Sequence, residues 1–518
     1  MSSSSIPTEK DRKYDRQLRL WASSGQHALE NAHVCLIGAT ATGSEILKNL
    51  VLPGIGQFTV VDDGMVNEND VASNFFVSFD EVGKSRAECV RALINELNPE
   101  VKGHAIASSP SEFINKQALQ EYSLIIACNV SPSDLGTLST SLYERNVPLV
   151  IADTVGFYGY FRIVFKEHTV IETHPDSLVE LRLDRPWKEL QDYANSFNLD
   201  YLSPSDLAHV PYVVLLLIHI QKWKSEHNGN LPKDVDEKRA FKQQISDAKG
   251  SDDPENFDEA VAAVWRLATP SGIPSYKTEE LFKDPQLSDL SNASPFWVLV
   301  AALKKYLETP ESEGLLPLPG VLPDMKADTK GFVTLQNLYI ERSKKDLELF
   351  ETVLHDLVKE KNLPVQIPHE TVLAFCKNAK FVTALKGSVL ELNGSKSSSY
   401  AYDDDKEDLF HIYIAIRAYK LFLEANGHPP GLINEKDDLI TEAKKVLQTF
   451  GYNEVNETTR NVLNEVVRCA GAELQNIAAL LGGVGGQEVI KLITHQYLPL
   501  DNTLIYDGIS SKTAAFRF

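Results

Sequence analysis

Residues 33–50, HVCLIGATATGSEILKNL, constrain this chain more than any other stretch. An apolar run leads into Gly38, a short loop follows, and a helical pattern begins. A strand that passes through a glycine-led loop into a helix is the opening unit of a parallel sheet, and nucleotide phosphates are held at such a helix start. The loop reads Gly38-Ala39-Thr40-Ala41-Thr42-Gly43, so its middle lacks glycine. The layout predicts the scaffold of a nucleotide binder and leaves open whether a nucleotide is bound.

The alternation continues to residue 155. QFTVVDD (57–63), VKGHAIA (101–107), SLIIACN (123–129) and PLVIADT (148–154) read as strands, with helical patterns over 42–54 and 83–99. Two of these strands are continuous apolar runs, as in strands covered on both faces. A mainly parallel sheet with helices on both sides follows. YFRIVFK (160–166) and TVIETHP (169–175) read as further short strands. From about 178 to 470 helical signals dominate. VPYVVLLLIHIQKW (210–223) reads as a buried helix, too short and interrupted to span a bilayer. Residues 315–332 form a Pro-rich extended connector, and 393–408 a polar, acidic loop.

The end of the chain returns to the first pattern. Residues 471–500 read as an apolar helix, broken or tightly packed at Gly482, Gly483, Gly485 and Gly486, and the strands NTLIYDG and TAAFRF follow. Those glycines suit close packing inside the chain or against a partner, and the two are compatible. The fold class read from this order is α/β. One Rossmann-like domain is built from both chain ends, 1–165 and 471–518, around a large, mainly helical insertion, 166–470.

Charge and cysteine content exclude several functions. A net charge of −21 over 518 residues argues against nucleic acid or an anionic membrane as the main partner; it suits a basic protein surface, and solubility explains it equally well. The five cysteines, Cys35, Cys89, Cys128, Cys376 and Cys469, form no C-x-x-C pair, so neither a cysteine zinc site nor a disulfide framework is expected. No other metal site is expected. Cys376 has no sequence-local base to activate it. The first residues contain no apolar signal segment. A soluble protein of the cytoplasm and nucleus is expected.

Three segments carry a resemblance. KYDRQLRLW (13–21), NLVLPGIGQFTVVDDG (49–64) and QEVIKLIT (487–494) resemble the activating enzymes of ubiquitin-like modifiers. From Tyr14 onward the chain is similar to the non-catalytic subunits of heterodimeric members that serve neddylation. The resemblance implies an adenylation-type fold. It also implies two partners, a catalytic subunit and the cullin-modifying ubiquitin-like protein. ATP and magnesium would sit on the catalytic subunit, with no cofactor in this chain. The insertion would correspond to the domain that carries the partner's catalytic cysteine, here without that cysteine. Two other readings stay open: an independent enzyme using the Rossmann-like site, and an adaptor for the modifier or the cullin machinery with no role in chemistry.

What the resemblance implies can be followed residue by residue. Active members carry a G-x-G-G-x-G loop; here Gly38 and Gly43 are kept, but Thr40 and Ala41 replace glycines. A positive φ at either would be uncommon, and both side chains would crowd a triphosphate. Asp62 stands where a ribose-binding acid is kept. Asp70 and Ser73 replace the asparagine and arginine that contact phosphate, and Asp70 would repel it. Arg86 stands at the lysine position and keeps its charge. Asn129 replaces an aspartate near the metal. A degenerate pocket is expected.

Two further features have two readings each. Read alone, residues 13–21 start an amphipathic helix with Tyr14, Leu18 and Trp21 on one stripe. Arg16 and Arg19 are then surface cations beside Asp15 or Asp11. The resemblance implies instead that Arg16 reaches across a domain pair and contacts phosphate in the partner's site. The segment Asp324 to Asn337, with Met325, Phe332, Val333 and Leu335, is expected against the partner; the alternative is a strap over this chain's own core.

Overall fold

A computed structural model describes residues 9–116, 119–249, 254–268, 270–390, 404–431 and 435–518. The chain divides into two compact units, Met1–His168 with Ala384–Phe518, and Thr169–Thr383. In chain order the first unit holds α1 (Glu9–Lys13), α2 (Asp15–Asn31), β1 (His33–Ile37), α3 (Ala41–Val51), β2 (Gln57–Val61), α4 (Glu68–Ser73), α5 (Arg86–Leu97), β3 (Lys102–Ile106), α6 (Pro110–Lys116), β4 (Leu124–Ala127), α7 (Pro132–Arg145), β5 (Leu149–Val155) and β6 (Tyr158–Val164). β7 (Glu167–Val170) follows, and its partner is β8 (Thr383–Lys386). Residues 171–175, expected in a strand, fall outside β7.

The second unit is helical: α8 (Lys188–Asn195), α9 (Pro204–Leu207), α10 (Tyr212–Glu226), α11 (Val235–Asp247), α12 (Glu255–Ala263), α13 (Tyr276–Leu281), α14 (Pro295–Leu307), α15 (Thr329–Glu360) and α16 (His369–Asn378). The first unit then resumes with α17 (Asp404–Asn426), α18 (Lys436–Thr449), α19 (Glu457–Cys469), α20 (Gln475–Thr494), β9 (Thr503–Asp507) and β10 (Lys512–Phe516).

The eight-stranded sheet of the first unit has the order β10-β9-β6-β5-β4-β1-β2-β3. β1 to β5 are mutually parallel; β6, β9 and β10 each pair antiparallel with their neighbours. The order reverses between β1 and β4, which opens a crevice beyond their carboxyl ends. Alternate residues of each strand serve two cores. Val34 and Leu36 join Phe58, Val60, Leu124 and Ile126 under α3, α5 and α20. Cys35 and Ile37 join Ile125 and Leu149 under α7, α17, α18 and α19. This double cover explains the continuous apolar strand runs.

It also corrects the expected boundary. Residues 404–469 were expected in the insertion, yet Ile412, Val446 and Leu463 of α17, α18 and α19 lie in the sheet's own core. The first unit therefore resumes at Ala384, not at 471. An apolar helical face is visible in a sequence, but not which core it enters. The expected loop 393–408 lies outside the described residues up to 403, and residues 404–408 begin α17.

α20 is long and apolar enough to cross a membrane, and it is a core helix of this unit. It runs unbroken, and three of its four glycines, Gly482, Gly485 and Gly486, face α3. A Cβ on Gly482 would lie 2.5 Å from the Glu45 Cβ, and one on Gly486 2.6 Å from the Asn49 Cβ. In the second unit α10 is buried on nearly every side, with Leu215, Trp223, Phe241 and Tyr339 in one core. The Pro-rich connector is fastened there by Asp346 of α15, which accepts from Leu318 N at 2.9 Å and Arg342 Nε at 2.8 Å.

Candidate functional site

The crevice at the β1–β4 reversal is built first by Gly38. Its φ is +88°, and a Cβ there would lie 1.9 Å from the Cys128 carbonyl oxygen, so the two loops approach only with glycine in place. Thr40 is extended (φ −74°, ψ 172°) and caps α3, its hydroxyl accepting from Gly43 N at 3.2 Å. Ala41 is already helical. Neither residue takes a positive φ; the chain enters the helix directly.

The freed N–H groups at this helix start point at carboxylates of the same chain. Ala39 N donates to Asp62 Oδ2 at 2.7 Å. Ala41 N donates to Glu473 Oε2 at 2.8 Å and Thr42 N to Glu473 Oε1 at 3.2 Å. The hydroxyls of Thr42 and Thr154 donate to Glu473 Oε1 at 2.7 and 3.1 Å. A helix N-terminus favours negative charge, and Glu473 supplies it where a phosphate would lie. Glu473 comes from the turn between α19 and α20, held by Gly156 N to Ala472 O at 2.8 Å.

Asp62, at the end of β2, is buried and also accepts from Gly64 N at 2.7 Å. Arg86 grips it through Nε at 3.2 Å and Nη2 at 3.0 Å, and reaches Asp70 Oδ1 through Nη1 at 3.0 Å. Burial lowers the Arg86 pKa, but the charges of Asp62 and Asp70 outweigh it and raise the pKa overall. Two expectations change here. The Arg86 charge is neutralised within the chain, and Asp70 is an ion-pair partner that also closes the capping box of α4 with Asn67. Ser73 donates to Asn69 O at 2.9 Å, on the surface.

On the β4 and β5 side, Asn129 takes a left-handed conformation (φ 53°) and its N–H donates to Asp153 Oδ1 at 2.7 Å. Lys420 of α17 is buried between them, 2.9 Å from Asn129 Oδ1 and 2.9 Å from Asp153 Oδ1. Sequence reasoning missed Glu473, Asp153 and Lys420. Lys420 had a signal: a cation inside the apolar run of residues 409–423. Glu473 had none, being more than 400 residues from the loop it caps.

The remaining candidates separate. Arg16 is exposed on α2 and has no hydrogen-bond or ion-pair partner among the described residues, while Arg19 pairs with Asp15 at 2.8 Å. Tyr14 and Trp21 are buried and Leu18 is half-buried. In the segment 324–337, Leu335 is fully buried in the second unit's core and Met325 packs against it, so both belong to the strap reading. Phe332 is half-buried, and Asp324, Val333 and Asn337 are exposed. Cys35, Cys89, Cys128 and Cys376 are buried, and burial raises each thiol pKa. Among the described residues no group of three or more His, Cys, Asp or Glu could hold a metal.

The model of the ThiF family matches residues 14–518. The chain belongs to the ThiF family. Similar members are a NEDD8-activating enzyme E1 regulatory subunit of Danio rerio, 37% identical over 98% of this chain and 99% of that protein, and one of Gallus gallus, 38% identical over 98% of both. A third, NEDD8-activating enzyme E1 regulatory subunit AXL of Arabidopsis thaliana, is 37% identical over 98% of this chain and 99% of its own length. The loop N–H groups of the crevice are bonded to Asp62 and Glu473, and its cations Arg86 and Lys420 are bonded to carboxylates.

Proposed function

We propose that this chain is the regulatory subunit of a heterodimeric enzyme that activates NEDD8, the ubiquitin-like modifier of cullins. The catalytic partner holds ATP and magnesium. There the modifier's C-terminal carboxylate attacks the α-phosphorus and pyrophosphate leaves; the partner's cysteine then displaces AMP to form the thioester. This chain supports both steps without a nucleotide or a thioester of its own. The observation that carries this reading is Glu473 seated on the α3 N–H groups, in a chain that aligns over 98% of its length with proteins named as regulatory subunits. Four of the five cysteines are buried and Cys469 is half-buried, which supports it too.

Arg16 gives the chain a part in the chemistry. It is exposed and unpaired among the described residues, and a guanidinium delivered across the interface binds phosphate oxygens with two parallel donors.

ATP–pyrophosphate exchange with NEDD8 tests this reading. Exchange is expected only when the catalytic subunit and this chain are both present. Arg16→Ala is expected to leave the heterodimer intact and slow exchange tens-fold or more, up to about 100-fold, since losing one such group costs on the order of 3 kcal/mol in the transition state; Arg16→Lys is expected to restore part. Exchange by this chain alone would make it an independent enzyme. Equal exchange by the catalytic subunit without it would make it an adaptor.

A further inference from the structure

One short excursion of the first unit exposes large apolar side chains. Between the end of β2 and the start of α5 the chain makes an excursion from Gly64 to Gly83. Within it Phe75 is 78% exposed, Phe79 72%, Met65 55% and Val82 42%. Isolated apolar residues on a surface need no explanation, but two phenylalanines this bare within five residues do.

The excursion is fastened along its length. Met65 bridges Ser85, Val66 N donates to Lys84 O and Gly83 N to Val66 O, both at 2.9 Å. Asn74 is buried; its amide donates to Ala39 O at 3.2 Å and Ser44 Oγ at 3.1 Å, and its carbonyl accepts from Phe76 N at 2.9 Å. Phe76 and Val77 enter the core beneath α3. Phe79 opens a short turn capped by Ser78 and Glu81, whose carboxylate accepts from Ser78 N at 2.7 Å. Phe75 is thus held beside the closed crevice, because Asn74 bonds to the crevice loop itself.

The surrounding charge says what this surface fits. The exposed charged residues of the excursion and its return are Asp63, Glu68, Asp80 and Lys84, three acidic to one basic. A second copy of this chain would set acidic rim against acidic rim, and an anionic lipid surface would be repelled in the same way. A complementary partner has an apolar centre and a lysine- or arginine-rich rim.

We propose that residues 64–83 form a docking surface for the catalytic subunit, which covers Phe75 and Phe79 with an apolar patch bordered by basic side chains. This rests on the heterodimer reading above and gives it a place on the chain. It also gives the closed crevice a use. Glu473 and Asp62 fix the loop to which Asn74 is bonded, so the phenylalanines are presented in a preordered arrangement and little freedom is lost on binding.

The test uses the full chain and the purified catalytic subunit, with calorimetry for affinity and thermal melting for the fold. Phe75→Ser with Phe79→Ser is expected to weaken heterodimer formation roughly 100-fold or more, as loss of central aromatic anchors does, with the melting temperature of the chain alone unchanged. Glu68→Lys with Asp80→Lys is expected to slow association, most at low salt. Val235→Ser removes an exposed apolar side chain of the second unit and is expected to change neither measurement. Wild-type affinity in the double phenylalanine variant would overturn the proposal. So would a lowered melting temperature, which would assign the two side chains to this chain's own stability, or a self-associated wild-type chain that the variant dissociates. Failure of the wild-type chain to bind the catalytic subunit at all would remove the heterodimer reading itself.

Discussion

At the scale of single residues, Glu473 does in this chain what a phosphate does in a nucleotide binder. Replacing it with alanine leaves the Ala41 and Thr42 N–H groups without their acceptor, while the Thr42 and Thr154 hydroxyls keep each other at 2.9 Å. Hydrogen bonds to a charged group contribute about 1.5–3 kcal/mol each when buried, but Glu473 is half-buried and water can reach part of the gap. A net loss of about 1–3 kcal/mol is expected in urea denaturation, with Glu473→Gln losing less because its amide keeps one acceptor. An unchanged midpoint would show that water serves as well. His168 sets a pH dependence. It is buried against His495, with ring centroids 4.6 Å apart, and burial first, then the neighbouring histidine, lowers its pKa from 6.5 to about 3. Its Nε2 has no hydrogen-bond partner among the described residues. Between those pH values the unfolded chain binds a proton that the native chain does not. This contribution is therefore complete above about pH 6.5 and lost as pH falls toward 3. His168→Phe is expected to flatten the fall in melting temperature between pH 7 and 5; an equal slope would place the dependence elsewhere. The sequence has Thr40, Ala41, Ser73 and Asn129 where the resemblance implies two glycines, an arginine and an aspartate. It did not show what fills the crevice instead, because Glu473, Asp153 and Lys420 meet the crevice only through the fold.

At the scale of elements, the glycines of α20 separate packing from propensity. Gly482 lies against Glu45, whereas a Cβ on Gly483 would meet nothing within 4 Å. Gly482→Ala is expected to destabilise the chain by about 1–3 kcal/mol through overpacking. Gly483→Ala is expected to be neutral or to stabilise by up to about 1 kcal/mol, the difference in helix propensity. Thermal melts of the two variants decide this, and equal shifts would contradict the close α3–α20 contact. The sequence left α20 as broken or tightly packed; it is tightly packed because the glycines spaced along it make room for one neighbouring helix. The strand runs of β4 and β5 were legible because both faces of each strand are covered. Which helices cover them was not legible. The pattern of α17 is apolar nearly all round, which marks a buried helix but not the core that buries it.

At the scale of the whole molecule, the two chain ends build one α/β unit whose crevice is filled by its own carboxylates, and a helical unit is carried between them. The class of fold and the use of both ends followed from the order of strand and helix signals. The boundary near residue 384 did not, since nothing local distinguishes a helix of one unit from a helix of the other. With its crevice closed, the ThiF-family unit still presents a shaped surface, and the heterodimer reading gives that surface its purpose. The central claim is that the heterodimer has one nucleotide site and that this chain does not contain it. Equilibrium dialysis of labelled Mg-ATP against the purified heterodimer measures that directly: one nucleotide bound per heterodimer is expected, and a second site, retained by this chain when it is dialysed alone, would contradict it.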